Sequence, residues 1–233
     1  TQMTAGETNI NFNNAITESD SINVFINEYM YNGSGVGIGD FNNDGLPDIF
    51  FTGSMVSSKL YINKGGFTFE DITDKAGLQT NRWCTGVSVV DINSDGFDDI
   101  YVCASHSTDP EKRKNQLFIN DGKLHFEDEA EAYGLADTGY ATQAAFFDYD
   151  KDGDLDMYLL NHLLYSHTAN NLQPKDTSGN SPAEDKLYRN NGVPQGQTHP
   201  VYEDMSQLAG IKEDGYGLGL VITDVNNDNW PDI

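Results

Sequence analysis

An all-β fold assembled from repeated four-stranded units is what this sequence predicts, on three observations. A nine-residue acidic turn recurs four times, as DFNNDGLPD at 40–48, DINSDGFDD at 91–99, DYDKDGDLD at 148–156 and DVNNDNWPD at 224–232. A second landmark follows each of the first three, in KLYINKGGFTFEDITDKAGL from 59, QLFINDGKLHFEDEAEAYGL from 116 and KLYRNNGVPQGQTHPVYEDMSQLAGI from 186. Apolar runs of strand length flank both landmarks. The first aspartates, Asp40, Asp91, Asp148 and Asp224, lie 51, 57 and 76 residues apart. A period of that size marks a solenoid, a propeller or an array.

Residues 1–35 lack the acidic turn but hold TNINF and SINVFINEYMY, which are expected to supply a ring-closing edge strand. The first half of each unit is a hairpin: GVGIGD, GVSVVD, QAAFFD and GLVITD run into the acidic turn, and DIFFTG, DIYVCA and DMYLLN run out of it. The second half is another hairpin, turned at Asn63-Lys64-Gly65, at Asn120-Asp121-Gly122, and in a longer loop beginning Asn190-Asn191-Gly192. Asn and Gly tolerate the positive φ that such turns need. A short helical turn then ends at Gly77, Gly134 and Gly210. Four-stranded units repeated along a chain read as the blades of a β-propeller, with an open stack of sheets as the alternative. The blades run over about 36–85, 86–141 and 142–216, and an incomplete one covers 217–233, so the chain reads as part of a longer protein. The polar stretch 161–185 reads as a surface insertion. The glycine run GSGVGIG at 33–39 fits no phosphate-binding pattern and reads as a crowded inner strand.

A hydrophobic content of 37% with 11% aromatics places the 233 residues among globular proteins. The formal charge is −24, from 37 acidic and 13 basic residues. That charge excludes nucleic acid and anionic membrane surfaces as partners and suits a collector of cations. No apolar run approaches the length of a membrane-spanning helix. Cys84 and Cys103 show neither a zinc spacing nor a disulfide framework and are expected to be free, buried thiols.

The acidic turn reads D-x-[DN]-x-D-[GN]-x-x-D. Alternate short carboxylates and amides on a tight loop converge on one point, as a hard cation with six to eight oxygen ligands requires, and Ca2+ fits better than Mg2+. The expected side-chain ligands are Asp40, Asn42, Asp44 and Asp48; Asp91, Asn93, Asp95 and Asp99; Asp148, Asp150, Asp152 and Asp156; and Asp224, Asn226, Asp228 and Asp232. Leu46, Phe97, Asp154 and Trp230 are expected to offer main-chain oxygen. An EF-hand would need a glutamate at its twelfth position, where Phe51, Val102 and Leu159 stand instead. Simple polar turns are the plainer reading. Mutual repulsion among so many carboxylates opposes it, and four Ca2+ ions would bring the charge from −24 to −16.

On these residues the chain resembles the calcium-binding FG-GAP or VCBS-type repeats, as in the propeller of integrin alpha subunits. GVGIGDFNNDGLPDIFFTG with KLYINKGGFTFEDITDKAGL looks like bacterial members of the group related to cartilage acidic protein, the ASPIC/UnbV group. The resemblance covers about residues 30–233. It implies a seven-bladed propeller with calcium in the loop joining a blade's first two strands, at a bacterial surface or outer membrane, with a lipid anchor outside these residues.

No enzyme signature is visible. His106, His125, His162, His167 and His199 are scattered, and only His162 and His167, near the insertion, stand as candidate ligands. The chain therefore reads as a calcium-stabilised extracellular or cell-envelope module, non-catalytic, that binds or scaffolds a protein partner or envelope complex. The alternative is a lectin-like, carbohydrate-binding propeller or the non-catalytic part of a glycan-active enzyme. The insertion and SHSTDPEKRKN at 105–115, which concentrates Lys112, Arg113 and Lys114, are the expected recognition loops.

Overall fold

The structure, a computed structural model, describes residues 2–27, 29–163 and 174–233. Among the described residues, twelve strands form three four-stranded sheets, each in simple chain order. The first holds β1 (Val36–Gly39), β2 (Asp48–Phe51), β3 (Lys59–Asn63) and β4 (Phe69–Asp71). The second holds β5 (Trp83–Val90), β6 (Asp99–Ser105), β7 (Gln116–Asn120) and β8 (Phe126–Asp128). The third holds β9 (Ala141–Phe147), β10 (Asp156–Asn161), β11 (Lys186–Asn190) and β12 (Tyr202–Asp204). These are the three complete blades expected from the repeat.

In each of the three blades the acidic turn closes the first hairpin, with Gly39 opposite Asp48 and Phe147 opposite Asp156. Each Asn-Gly turn closes the second, pairing Asn63 with Phe69, Asn120 with Phe126 and Asn190 with Tyr202. One-turn helices follow at α1 (Thr73–Ala76), α2 (Ala130–Tyr133) and α3 (Ser206–Ala209). All three stop where φ turns positive, at Gly77, Gly134 and Gly210.

Residues 2–27 and 29–35 differ from the expectation: they contain no strand. A four-residue helix at Ala5–Thr8 and a lone bridge between Ser19 and Ile22 stand there instead. The segment lies against the first sheet through its side chains. Phe12 stacks on Phe51 at 5.1 Å, the Tyr61 hydroxyl accepts from the Asn11 N–H, and Asn14 bonds Ser34 and Ser54. Its polar Asn-rich sequence gives it little alternating apolar pattern with which to join a sheet. The fourth repeat is a loop with one bridge, Thr223 to Asp232, rather than a hairpin.

The chain divides into two compact units: Thr1–Val102 with Gln116–Glu129, and Cys103–Asn115 with Ala130–Ile233. In the first, the core gathers Phe41, Phe50, Leu60, Ile62, Ile72, Ile100, Val102, Phe118 and Phe126, with Val87 and Val89 packed on it. Phe41 comes from the second position of an acidic turn, yet it is fully buried, and its ring meets Phe126 edge-on at 6.0 Å. The glycine run explains itself here. A methyl group added to Gly35 or Gly37 would lie 2.7 Å from Val87 Cγ1 or 2.8 Å from Val89 Cγ2, so the bare backbone of β1 is what admits the valines of β5.

Cys84 and Cys103 are free and buried, as the sequence led one to expect. In the second unit Arg113 departs from its expected role as a surface charge. It is only 7% exposed, donates to the carbonyls of Thr138 and Ser107, and lies over the Tyr140 ring at 4.6 Å. Its neighbour Lys114 is paired with Glu111 and Glu131, both at 2.7 Å. The basic cluster is thus largely committed within the fold. Of the long insertion, residues 164–173, including His167, lie outside the described residues.

Two outcomes are expected from this packing. Gly37→Ala lowers stability by about 1–3 kcal/mol, and pairing it with Val89→Ala gives less than the sum of the two losses in a double-mutant cycle followed by thermal melting. Arg113→Ala costs about 2–4 kcal/mol, because the carbonyls of the half-buried Thr138 and Ser107 lose their donor, the Tyr140 ring loses its partner and the buried side chain leaves a void. A melting curve unchanged by this variant would return Arg113 to the surface role.

Candidate metal centre

The acidic loops are curled by their own side chains. The first-position aspartate accepts two consecutive backbone N–H groups: Asp40 from Asp44 and Gly45 at 3.0 and 2.8 Å, and Asp91 from Asp95 and Gly96 at 3.0 and 2.9 Å. Asp148 does the same with Asp152 and Gly153, and Asp224 with Asp228 and Asn229. The fifth-position carboxylates of Asp44, Asp95, Asp152 and Asp228 accept the N–H groups of Leu46, Phe97, Asp154 and Trp230. Asn42, Asn93 and Asn226, at the third position, accept the N–H of the fifth. Backbone groups that a sheet would pair are therefore paired by carboxylates.

Two left-handed residues make the curl this tight. The sixth position has φ of 85°, 90°, 99° and 66° at Gly45, Gly96, Gly153 and Asn229. The sequence signals this one. The fourth is left-handed as well, with φ of 55°, 58°, 64° and 59° at Asn43, Ser94, Lys151 and Asn227. Serine and lysine give no hint of that conformation.

The ninth-position aspartates have a role that the turn pattern does not disclose. Asp48, Asp99 and Asp156 are fully buried. One oxygen of each accepts the N–H of the second loop residue, from Phe41, Ile92 and Tyr149 at 3.1, 3.1 and 3.0 Å. The other accepts the N–H of Asn63, Asn120 or Asn190 at 2.8 Å, at the end of the third strand. Those asparagines return the contact, donating their side-chain amides to the carbonyls of Pro47, Asp98 and Leu155. The carboxylate that ends the acidic loop thereby ties it to the second hairpin of the same blade.

Neighbouring loops also touch within each unit. The Asn43 amide donates to the Gly96 carbonyl at 2.8 Å, and Asp98 accepts the Asp40 N–H at 3.1 Å. In the second unit the Lys151 ammonium sits 4.0 Å over the Trp230 ring. The left-handed fourth position is what aims Asn43 and Lys151 at the following loop.

The test of a cation is sharpest in the third loop. Oxygens of Asp148, Asp150 and Asp156 lie within 4.8 Å of one another. Two oxygens bound to one Ca2+ at about 2.3–2.6 Å stand no more than about 5 Å apart, so the spacing fits. Oδ1 of Asp150 and Oδ1 of Asp154 are buried with no hydrogen-bond partner, and a carboxylate oxygen can be satisfied only by a donor or a cation. Burial, with the neighbouring carboxylates adding to it, pushes Asp48 and Asp156 up to about 6 and Asp99 up to about 7, against the backbone N–H groups that favour their ionised forms. Asp154 is raised to about 6 by burial and by Asp152. The first three loops are thus short of positive charge.

Among the described residues the histidines offer no comparable centre. Burial, with His162 adding to it, lowers His106 to about 4, His162 is buried against Tyr216, and His199 stacks on Tyr133 at 4.7 Å. Among the described residues, Asp148, Asp150 and Asp156 are the one group of three or more His, Cys, Asp or Glu side chains placed to share an ion.

The family model of the FG-GAP-like repeat matches residues 40–102 and 103–159, each match opening on or spanning an acidic turn. This chain belongs to the FG-GAP repeat family. Cartilage acidic protein 1 of Mus musculus is 26% identical over 202 residues, covering 86% of this chain and 28% of that protein. The Xenopus tropicalis and Homo sapiens proteins of the same name are each 26% identical, over 89% and 86% of this chain. The chain spans less than a third of these relatives' length, 27–29%. Each match runs from one blade into the next, and between them they take in the acidic turns that close the first hairpins of the three blades.

Stability of the metal-free protein should fall as pH rises. The buried aspartates have folded-state values near 6 to 7, above the ordinary carboxylate value of 3.8, so the stability they give is full below that ordinary value and is lost as pH passes through 6 to 7. Melting temperatures of protein dialysed free of metal, taken from pH 5 to 8, are expected to decline, and saturating calcium is expected to flatten the trend. A rise with pH in the metal-free protein would contradict the assignment.

Proposed function

We propose that this chain is a calcium-stabilised, non-catalytic binding or scaffold module, working outside the cell or at the cell envelope and presenting its loops to a protein partner. The observation that carries the reading is the third loop, where Asp148, Asp150 and Asp156 converge and two buried carboxylate oxygens stand without a donor. The same hydrogen-bond scheme recurs in the other three loops, which extends the proposal to Asp40, Asn42, Asp44 and Asp48, to Asp91, Asn93, Asp95 and Asp99, and to Asp224, Asn226, Asp228 and Asp232. Asp152 joins the third set, and the carbonyls of Leu46, Phe97, Asp154 and Trp230 complete the four. Bound calcium would supply fixed positive charge and nothing redox or catalytic.

Two things support the extracellular setting: calcium sites of this proposed kind suit the millimolar calcium found outside cells, and the relatives are named for cartilage. No helix among the described residues is long and apolar enough to cross a membrane. A bacterial outer-membrane lipoprotein within an envelope complex is the finer form of the proposal. A lectin-like module is the second reading, and glycan-array binding that depends on calcium would favour it over protein capture.

Calcium titration followed by calorimetry and melting tests the proposal. With a dissociation constant of about 0.1 mM and about 1 mM ion, each site adds roughly 1.4 kcal/mol. Asp150→Ala should remove one site from the stoichiometry while the others remain. Identical melting in calcium and in chelator would sink the calcium reading.

A further inference from the structure

The first unit holds a cleft of about 310 Å3 between the second hairpins of the first two blades, a size at the lower end of ligand pockets. Its floor is aliphatic. Ile62 and Ile72 are buried core residues, and Leu124 is half-buried at the tip of the β7–β8 turn. Its rim carries Lys64, Lys75, Lys123 and His125, with Asn42 of the first acidic loop at one side. Three of the chain's 13 lysines and arginines thus line one cleft in a protein with 37 acidic residues.

The local charge balance leaves that cleft positive. Glu70 is the one carboxylate in the lining, and it is shared between Lys64 at 3.4 Å and Lys75 at 3.3 Å. Lys123 makes no ion pair among the described residues, and Asp121 beside it spends an oxygen on the backbone N–H groups of Lys123 and His125.

The blade itself does not require these residues. The stretches 59–78 and 116–135 align without a gap, and the second blade has Asp121, Glu129 and Ala132 where the first has Lys64, Ile72 and Lys75. The same scaffold accepts an acid, a second acid and a methyl group there. Two lysines and an isoleucine at those places are a property of this cleft.

We propose that the cleft binds a carboxylate carried beside a branched aliphatic group, as presented by an aspartate or glutamate next to leucine, isoleucine or valine in a partner polypeptide. The inference rests on the reading of the chain as a protein-binding module and names one chemistry for it. Ammonium groups are compact point charges suited to a single carboxylate. No Phe, Tyr or Trp side chain lines the cleft, so a sugar ring finds none of the broad stacking platforms that carbohydrate sites use. The charge of −24 opposes any polyanion at long range, which excludes sulfated polysaccharide chains and acidic runs and leaves an isolated carboxylate.

The probe is 4-methylpentanoate, titrated in calcium into the full 233-residue chain with methyl-labelled isoleucine and leucine, and followed by NMR. Saturable shifts are expected at the Ile62, Ile72 and Leu124 methyls with a dissociation constant of about 1 mM, the range that so small a ligand reaches. The uncharged 4-methylpentanamide should bind about tenfold more weakly, as should the acid to a Lys64→Gln/Lys123→Gln variant whose calcium-dependent melting is unchanged. Absence of saturable shifts in the folded protein overturns the proposal, as does equal binding of acid and amide. Glucuronate binding as tightly as the acid overturns it in favour of a sugar acid. None of these outcomes bears on whether the module captures a protein elsewhere, which a pull-down with the double variant reads separately.

Discussion

Burying an ionised carboxylate is expensive unless its oxygens are satisfied, and each complete blade is built around doing so once. Asp48, Asp99 and Asp156 have no exposed surface and accept one N–H from the acidic loop and one from the end of the third strand. Two hairpins that no sheet hydrogen bond joins at this point are held by one side chain. The asparagine that ends the third strand completes the tie and also opens the second turn, accepting from the Gly65, Gly122 or Gly192 N–H. Loop, strand and turn thus share one small polar network, and such networks are most constraining when every member is satisfied.

That network concentrates negative charge on the side of the blade where both turns emerge. The loops spend several carboxylate oxygens on backbone donors and still leave Asp150 and Asp154 with orphaned ones. A divalent cation would satisfy these oxygens by electrostatics, which is the basis of the proposed calcium sites. The contacts between successive loops give the arrangement range beyond one blade: Asn43 to Gly96 and Asp98 to Asp40 couple the first loop to the second. Ordering one loop constrains the backbone of the next.

Apolar packing works on a different principle. Glycines on β1 remove side chains so that valines of β5 can approach the backbone, while Phe41 leaves its acidic turn to fill the core beneath. The turn is therefore anchored at both ends of the polarity scale, by a buried ring at its second position and a buried carboxylate at its ninth. The cleft with its lysine rim lies above this same core and shares Ile62 and Ile72 with it. A rigid floor under variable rim residues is the usual construction of a recognition site.

The repeat, its four-stranded unit, the turn residues and the clustering of short carboxylates in the acidic turns were all legible in the sequence. They depend on local rules: strand alternation, the φ tolerance of Asn and Gly, and the spacing of short carboxylates. Membership of the FG-GAP family followed from the same stretches. Other features depend on what a residue meets far along the chain, and no local rule encodes that. Arg113 looked like surface charge because basic residues usually are, and only the carbonyls of Thr138 and Ser107 with the Tyr140 ring bury it. The N-terminal segment held strand-like residues, but it found its partners through side chains, as Phe12 found Phe51. Ser94 and Lys151 took a left-handed backbone because the loop around them demanded it. The sequence by itself determined the repeated hairpins of the three blades and where short carboxylates and amides cluster, since both are short-range chemistry. The tertiary structure alone decided which carboxylates became buried ties and which charges were left to line a cleft, because burial is a property of neighbours that only folding brings together.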